Sequence, residues 1–203
     1  MKRKLSLPPR VRTILRRMII AGLVFKVSLG IVWAAGHALL PDTEHNCLQY
    51  QKHELPPGAS TAVVMKSNRT MCYFVQGKLR FHAPVSYGPG VGPKRVQGDK
   101  RTPEGHYLLA PPRRSQNFGT FMSLSYPGKD DIAFAKSIDQ KPGGSVGVHG
   151  PRSWYTWVGS LQSLWNHSQG CIVLSRKCYE AFAAMVPNAV HIVIHPLEFT
   201  PGQ

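Results

Sequence analysis

Two short stretches carry the residues most able to do chemistry: Val146-Gly147-Val148-His149-Gly150 and, 22 residues after the histidine, a cysteine in Asn166-His167-Ser168-Gln169-Gly170-Cys171-Ile172-Val173-Leu174. A thiol nucleophile needs a base to take its proton and backbone donors to receive charge on the attacked carbonyl. His149 can be the base and Cys171 the nucleophile. Gly170 has no Cβ and permits a tight turn that exposes the sulfur, and Gly150 lets a substrate approach the backbone beside the histidine. Backbone N–H groups near Gly170 and Cys171 are the candidate oxyanion donors, with Ser168 supporting the loop or orienting substrate through its hydroxyl. His167 is a substrate-side candidate and equally a solvent-facing loop histidine.

The elements that must hold these residues are mostly strands. Thr61-Ala62-Val63-Val64-Met65, Met71-Cys72-Tyr73-Phe74-Val75 and Lys78 to Ser86 read as a three-stranded meander with turns at Lys66–Thr70 and Gln76-Gly77. Further strands are expected at Gly105 to Ala110, Thr120 to Tyr126, Val146 to His149, Cys171 to Leu174 and Ala189 to His195. One short helix is expected near Leu161 to Trp165, and a clearer one follows Ser175, a good N-cap, and stops at Pro187. Tyr87 to Pro103 and Gly150 to Ser160 are long loops, a length that in a small domain is often functional.

Seven basic residues (Lys2, Arg3, Lys4, Arg10, Arg12, Arg16, Arg17) and no acidic one precede a mostly apolar stretch, Met18 to Leu40. Those 23 residues suffice to cross a ~30 Å hydrocarbon core, and the basic flank places the remainder outside the cytoplasm. Lys26 must snorkel to the inner surface. The reading taken is an uncleaved anchor; a cleaved signal, with small residues around Val32-Trp33-Ala34 and a faint twin-arginine pattern at Arg16-Arg17, is the alternative. The expected organisation is a basic cytoplasmic tail (1–17), an anchor or signal segment (18–40), a polar linker (41–60) and one catalytic domain (61–197).

Of the formal charge of +15, eight units lie in the anchor region; residues 41–203 carry 17 Lys or Arg against 10 Asp or Glu, a net +7. That excess is dispersed and no nucleic-acid motif accompanies it, so an anionic wall or lipid surface is expected and nucleic acid is not. Four cysteines, Cys47, Cys72, Cys171 and Cys178, in an exported chain raise the question of disulfides. With Cys171 free, the other three allow one bridge in three pairings. Zinc ligation by His149, His167, Cys171 and His195 lacks a short paired-ligand spacing and ranks below nucleophilic use, so no metal or cofactor is expected.

The order of landmarks resembles the L,D-transpeptidase (YkuD-like) catalytic domain family over roughly Thr61 to His195. Lys66-Ser67-Asn68-Arg69 followed by Gln76-Gly77-Lys78 is similar to the family's opening hairpin. Gly98-Asp99-Lys100-Arg101-Thr102-Pro103-Glu104-Gly105-His106-Tyr107 resembles its G-D-x-x-T-P-E-G-x-Y segment, and Leu124-Ser125-Tyr126-Pro127 resembles a further strand. The resemblance implies a mainly β, β-sandwich-like domain with one or two short helices, preceded here by an N-terminal transmembrane helix. It implies Cys171 as nucleophile and His149 as base, acting on the carbonyl after the third residue of a peptidoglycan stem tetrapeptide. D-alanine leaves, and the acyl group passes to an amine or to water. It also implies acylation by β-lactams of the carbapenem class.

Two departures stand out. Gln169 occupies a position often held by histidine, and Val173 stands where many members have Arg or Asn; a cation there pairs with a carboxylate, so recognition has moved or the substrate differs. Arg152, Arg113, Arg114 and Arg176 are the candidates to compensate. Substrate-side residues are therefore Gln169, His167, Arg152 and Tyr155, with Trp154, Trp157 and Trp165 as either cleft walls or ordinary packing. The Gly98 to Tyr107 segment reads as a structural turn entering a strand. The leading function is a wall transpeptidase; a hydrolase on the same scaffold and a non-catalytic wall-binding module are the alternatives.

Overall fold

The computed structural model describes residues 9–54 and 60–200. The tail before Pro9, linker residues 55–59 and the side chains of Trp154 and Tyr155 lie outside the described residues. The chain divides into two units, one ending at Leu39 and one beginning at Leu40. The first is helix α1, Pro9–Ala38, thirty residues whose described side chains from Arg16 to Val32 are exposed along every face. It is long and apolar enough to cross a membrane.

The second unit begins with helix α2 (Thr43–His53), followed by strands β1 (Thr61–Met65), β2 (Thr70–Val75), β3 (Lys78–Pro84), β4 (Gly105–Leu109), β5 (Arg113–Ser115) and β6 (Gly119–Ser123). Helix α3 (Lys129–Ser137), strand β7 (Gly147–His149), a 3-10 segment (Ser153–Leu164), strand β8 (Ile172–Val173), helix α4 (Arg176–Met185) and strand β9 (Val190–His195) complete it. Two sheets form: β3-β2-β1-β9-β4 and β5-β6-β7-β8. All eight strands expected from the sequence are present, and β5 is added.

Local chemistry explains the meander. Gln76 and Gly77, both at positive φ (51° and 72°), make the two-residue turn that brings Val75 opposite Lys78. Residues of β1 and β2 are buried on both faces, so these strands read as nearly continuous apolar runs. Ala62, Val64, Met71 and Tyr73 face a core shared with Met122, Val148 and Ile172 of the second sheet. The alternate residues Val63, Met65, Cys72 and Phe74 face Cys47 and Tyr50 of α2. The domain is thus a two-sheet sandwich with an additional apolar layer under α2.

Residues 43–53, inside the stretch expected to be a polar linker, form α2 instead. Asp42 caps it by accepting the His45 N–H at 3.0 Å, and a Cys47–Cys72 disulfide fastens it to β2. Cys171 and Cys178 are left as free thiols. The expected helix after Ser175 is present, with the Ser175 hydroxyl accepting the Cys178 N–H at 3.3 Å and Tyr179 and Phe182 buried. Leu161 to Leu164 lies in the 3-10 segment, which is broken at Gly159 (φ 59°), and Trp165 is the extended residue that ends it. Helix α3 was not expected; the Asp131 carboxylate accepts the Gly128 N–H at 2.8 Å at its start.

Candidate active site

The site is built where β7 and β8 run parallel. Their register pairs Val148 with Ile172 and His149 with Val173, and β6 pairs Phe121 with His149. Because side chains alternate along a strand, Phe121, His149 and Val173 share one face, and Cys171, two residues before Val173, falls on the same side. Gly147 is required beside the cysteine: a Cβ there would strike the Met122 carbonyl oxygen and the Phe121 ring.

Backbone-on-backbone packing shapes the cysteine loop. Gly170 has φ +119°, and a Cβ on it would run into the Arg101 carbonyl oxygen. Ser168 is buried; its hydroxyl donates to the Cys171 carbonyl at 2.6 Å and accepts the Gly170 N–H at 3.1 Å. Ser168 therefore supports the loop. The Gly170 N–H, expected as an oxyanion donor, is engaged by Ser168 in this structure. The Ser168 N–H reaches the Tyr87 carbonyl at 3.4 Å, and the Tyr87 hydroxyl donates to the Lys66 carbonyl at 2.7 Å.

Arg69, at the β1–β2 turn, had no site role in the sequence reading. Its Nη1 donates to the Ser163 carbonyl and to Asn166 Oδ1, both at 2.8 Å, and its guanidinium sits 5.6 Å from the Tyr87 ring centre. It ties the 3-10 segment and the start of the His167–Cys171 loop to the first sheet. The buried Lys66 forms an ion pair with the partly exposed Glu104 between the end of β1 and the segment entering β4.

His149 is buried, at 5% exposure, with its ring stacked 3.7 Å from that of Phe118. Its Nδ1 lies 2.7 Å from the Gly150 carbonyl oxygen. A carbonyl only accepts, so Nδ1 carries the proton and Nε2 of the neutral ring is the free base. Burial, with the nearby His167 and Arg152 adding to it, pushes the His149 pKa down to about 4 despite the Gly150 hydrogen bond. Gly150 acts through that carbonyl; a Cβ there would meet Tyr179 at 3.5 Å, an ordinary contact.

Cys171 is half-buried, its Sγ 3.8 Å from the Ser145 carbonyl. Burial raises its thiol pKa above the ordinary value, opposed by the Gly147 backbone hydrogen bond and the positive charge of Lys94. Two clefts meet at this residue. The first, about 460 Å³, is lined by Phe118, His149, Pro151, Arg152, His167, Ser168, Gln169, Cys171 and Val173. The second, about 590 Å³, shares Cys171 and Gln169 and is walled by Lys94, Gln97, Ser145 and neighbouring glycines.

Among the expected substrate-side residues, Arg152, His167 and Gln169 all line the first cleft. The Arg152 guanidinium lies 5.9 Å from the Phe118 ring centre. Arg176 is committed to the backbone, donating to the carbonyls of Pro151 at 2.7 Å and Phe118 at 3.4 Å, while Arg113 and Arg114 stand exposed on β5. His167 Nδ1 is 3.3 Å from the Ser86 hydroxyl. Trp157 and Trp165 are 82% and 42% exposed and line neither cleft. His195 pairs with Tyr50 at 3.1 Å on the α2 side, away from Cys171, and no group of three or more His, Cys, Asp or Glu able to hold a metal occurs among the described residues.

The Asp99 turn is structural, as expected. Its carboxylate accepts the backbone N–H groups of Arg95 (2.7 Å), Val96 (3.0 Å) and Arg101 (3.1 Å) and the Lys94 ammonium (2.8 Å). Burial raises its pKa, but these donors together outweigh burial and hold it below the usual carboxylate value. Lys94 was missed in the sequence because only the fold brings it to the wall of a cleft shared with Cys171.

No curated protein matches the chain. In fold it is similar to the helical cell shape determining protein Pgp2 from Campylobacter jejuni: 22% identity and a TM-score of 0.55 over 71% of this chain and 50% of that one. A K307A mutant of Pgp2 gives 21% and 0.56 over 74% and 51%. An L,D-transpeptidase from Mycobacterium tuberculosis H37Rv is 20% identical, with a TM-score of 0.46 over 68% of this chain and 57% of that one. The chain spans about half the length of the Pgp2 structures. The family model of the L,D-transpeptidase catalytic domain, YkuD, matches residues 59–194, two thirds of the chain, and the protein belongs to that family.

Proposed function

We propose that the protein is a peptidoglycan L,D-transpeptidase anchored in the membrane by α1, with its catalytic domain outside the cytoplasm. The observation that carries this reading is the position of Cys171 between two clefts, one of which holds His149. A thiol reached from two sides suits a double displacement, in which an acyl donor and an acceptor amine must each approach the same atom.

In this reading His149 Nε2 takes the Cys171 proton as Sγ attacks the carbonyl after the third stem residue. The Cys171 N–H receives charge on the carbonyl oxygen. Collapse of the tetrahedral intermediate expels D-alanine, whose amine takes the proton back from His149, and leaves a thioester on Cys171. An acceptor amine then attacks the thioester, gives its proton to His149 and releases the thiolate, which is reprotonated. Arg152, His167 and Gln169 contact the donor, Ser168, Gly170 and Gly150 hold the loop and the base, and a carbapenem acylates the same sulfur. Pgp2 is described as determining helical cell shape; a role in wall remodelling is proposed here by analogy.

Mass spectrometry of products after incubation with disaccharide-tetrapeptide stems tests the proposal. A cross-linked dimer that forms with wild type and not with Cys171→Ala is expected. Tripeptide stems without dimer would instead assign hydrolysis to the site, an outcome that the apolar Val173, lining the first cleft with Cys171, makes a specific second reading. Unchanged stems with both proteins would overturn both.

A further inference from the structure

The thiol site has an electrostatic gap. In many cysteine enzymes a neighbouring imidazolium stabilises the thiolate. Here His149 is buried against Phe118, and its Nδ1–H is committed to a carbonyl. That environment keeps the ring neutral across the physiological range, so His149 can accept a proton yet offers no standing positive charge to the sulfur. The titratable or charged side chains about Cys171 are His149, His167 and Arg152 on the first cleft and Lys94, backed by Asp99, on the second.

Lys94 differs from the others in how it is held. It is 4% exposed, a rare condition for lysine, and its ammonium donates to Asp99 Oδ1 at 2.8 Å and to the Val96 carbonyl at 3.0 Å. Those bonds use two of its three N–H groups. Asp99 already accepts three backbone N–H groups, so the turn has its own supports and does not depend on the ammonium for closure. A neutral side chain in place of Lys94 would close the same wall without the cost of burying a charge. Its position in a cleft lined also by Cys171 gives that charge a purpose.

We infer that Lys94, fixed by Asp99 and the Val96 carbonyl in the wall of the second cleft, supplies the positive charge that stabilises the Cys171 thiolate. It is a positioning residue acting through the sulfur, and the direction of its influence on Cys171, lowering a thiol pKa that burial raises, agrees with this role. The division of labour follows: His149 moves the proton, and Lys94 holds down the charge that remains. The inference rests on Cys171 being the nucleophile and is independent of whether amine or water takes the acyl group.

The test is the pH dependence of iodoacetamide alkylation, in which the thiolate forms an S–C bond and iodide leaves, followed at Cys171 by peptide-resolved mass spectrometry on the full chain in detergent. Wild type should alkylate with an apparent pKa that rises by about one unit in Lys94→Met, making reaction at pH 7 roughly tenfold slower, and that largely returns in Lys94→Arg. Asp99→Asn, which removes the carboxylate that fixes the ammonium but leaves the Val96 carbonyl, should give a smaller rise than Lys94→Met. Coincident profiles for wild type and Lys94→Met would overturn the inference, as would equal upward shifts in all three variants, which would indicate a lost loop wall. A wild-type Cys171 that resists alkylation throughout would sink the nucleophile reading itself, whereas rapid alkylation indifferent to Lys94 removes only this inference.

Discussion

The Nδ1 of His149 lies 2.7 Å from the Gly150 carbonyl oxygen, which sets the tautomer of the ring and leaves Nε2 as its basic atom. This one backbone contact decides how the site responds to pH. With the His149 pKa lowered to about 4 by burial, the folded chain resists protonation that an unfolded chain accepts near ~6.5.

The sign of the effect on stability follows from that difference. Below ~6.5 the unfolded state binds the extra proton first, so the contribution of neutral His149 is complete above ~6.5 and is lost as pH falls towards 4, at most about 3 kcal/mol. Chemical denaturation of the full chain between pH 7 and pH 4 should show this loss, and His149→Gln should show less of it. In activity, the acid limb of kcat/KM belonging to His149 should lie near pH 4, and His149→Ala should lower the rate by roughly 10²–10⁴. A His149→Ala enzyme with the wild-type pH profile would remove histidine from the base role.

Gly170→Ala combines a strained φ with a collision against the Arg101 carbonyl. We expect a loss of about 1–3 kcal/mol of stability and a fall in turnover of about 100-fold from displacement of the sulfur. Calorimetry and steady-state kinetics measure the two parts, and normal turnover would show that the loop tolerates the shift.

Arg69→Met removes two charge-assisted hydrogen bonds to Ser163 and Asn166. A cost of about 1.5–3 kcal/mol is expected in urea titration. Kinetically, kcat should fall, and faster hydrogen exchange in residues 163–171 should identify a loosened loop as the cause. Arg69→Lys, which lacks the planar fork, should recover only part of the effect.

The Cys47–Cys72 bridge lies in the layer under α2, on the opposite face of the first sheet from the shared core. Replacing both cysteines by serine should cost about 3 kcal/mol, given the 25-residue separation, while leaving kcat within a factor of two at 25 °C. A large change in kcat measured on the folded variant would show that α2 governs the site as well as stability.

The strands were legible because apolar and β-branched runs bounded by Gly and Pro leave few alternatives, and the candidate pair His149 and Cys171, which line one cleft, was legible because each stands beside a glycine. Helix α2, Thr-Glu-His-Asn-Cys-Leu-Gln-Tyr-Gln-Lys-His, was not: among its described residues Cys47 and Tyr50 are the apolar ones inserted into the core, so the helix depends on tertiary contacts and the disulfide rather than on its own periodicity. Strand β5 is three residues of Arg-Arg-Ser, paired at a sheet edge with no apolar pattern to reveal it. Lys94 and Arg69 read as ordinary surface cations, since nothing local to them in sequence anticipates burial at one cleft or bridging to Asn166. The reach of Arg152 into the first cleft, left open among four arginines, was decided by the fold, which commits Arg176 to two carbonyls.

The most direct test of the central claim is intact-protein mass spectrometry of the full chain mixed with a stem tetrapeptide and quenched in acid within seconds. The expected result is an adduct equal to the tetrapeptide stem minus D-alanine, mapped to Cys171 and absent from Cys171→Ala. Turnover of the stem with no adduct in wild type, or an adduct that persists in Cys171→Ala, would contradict it.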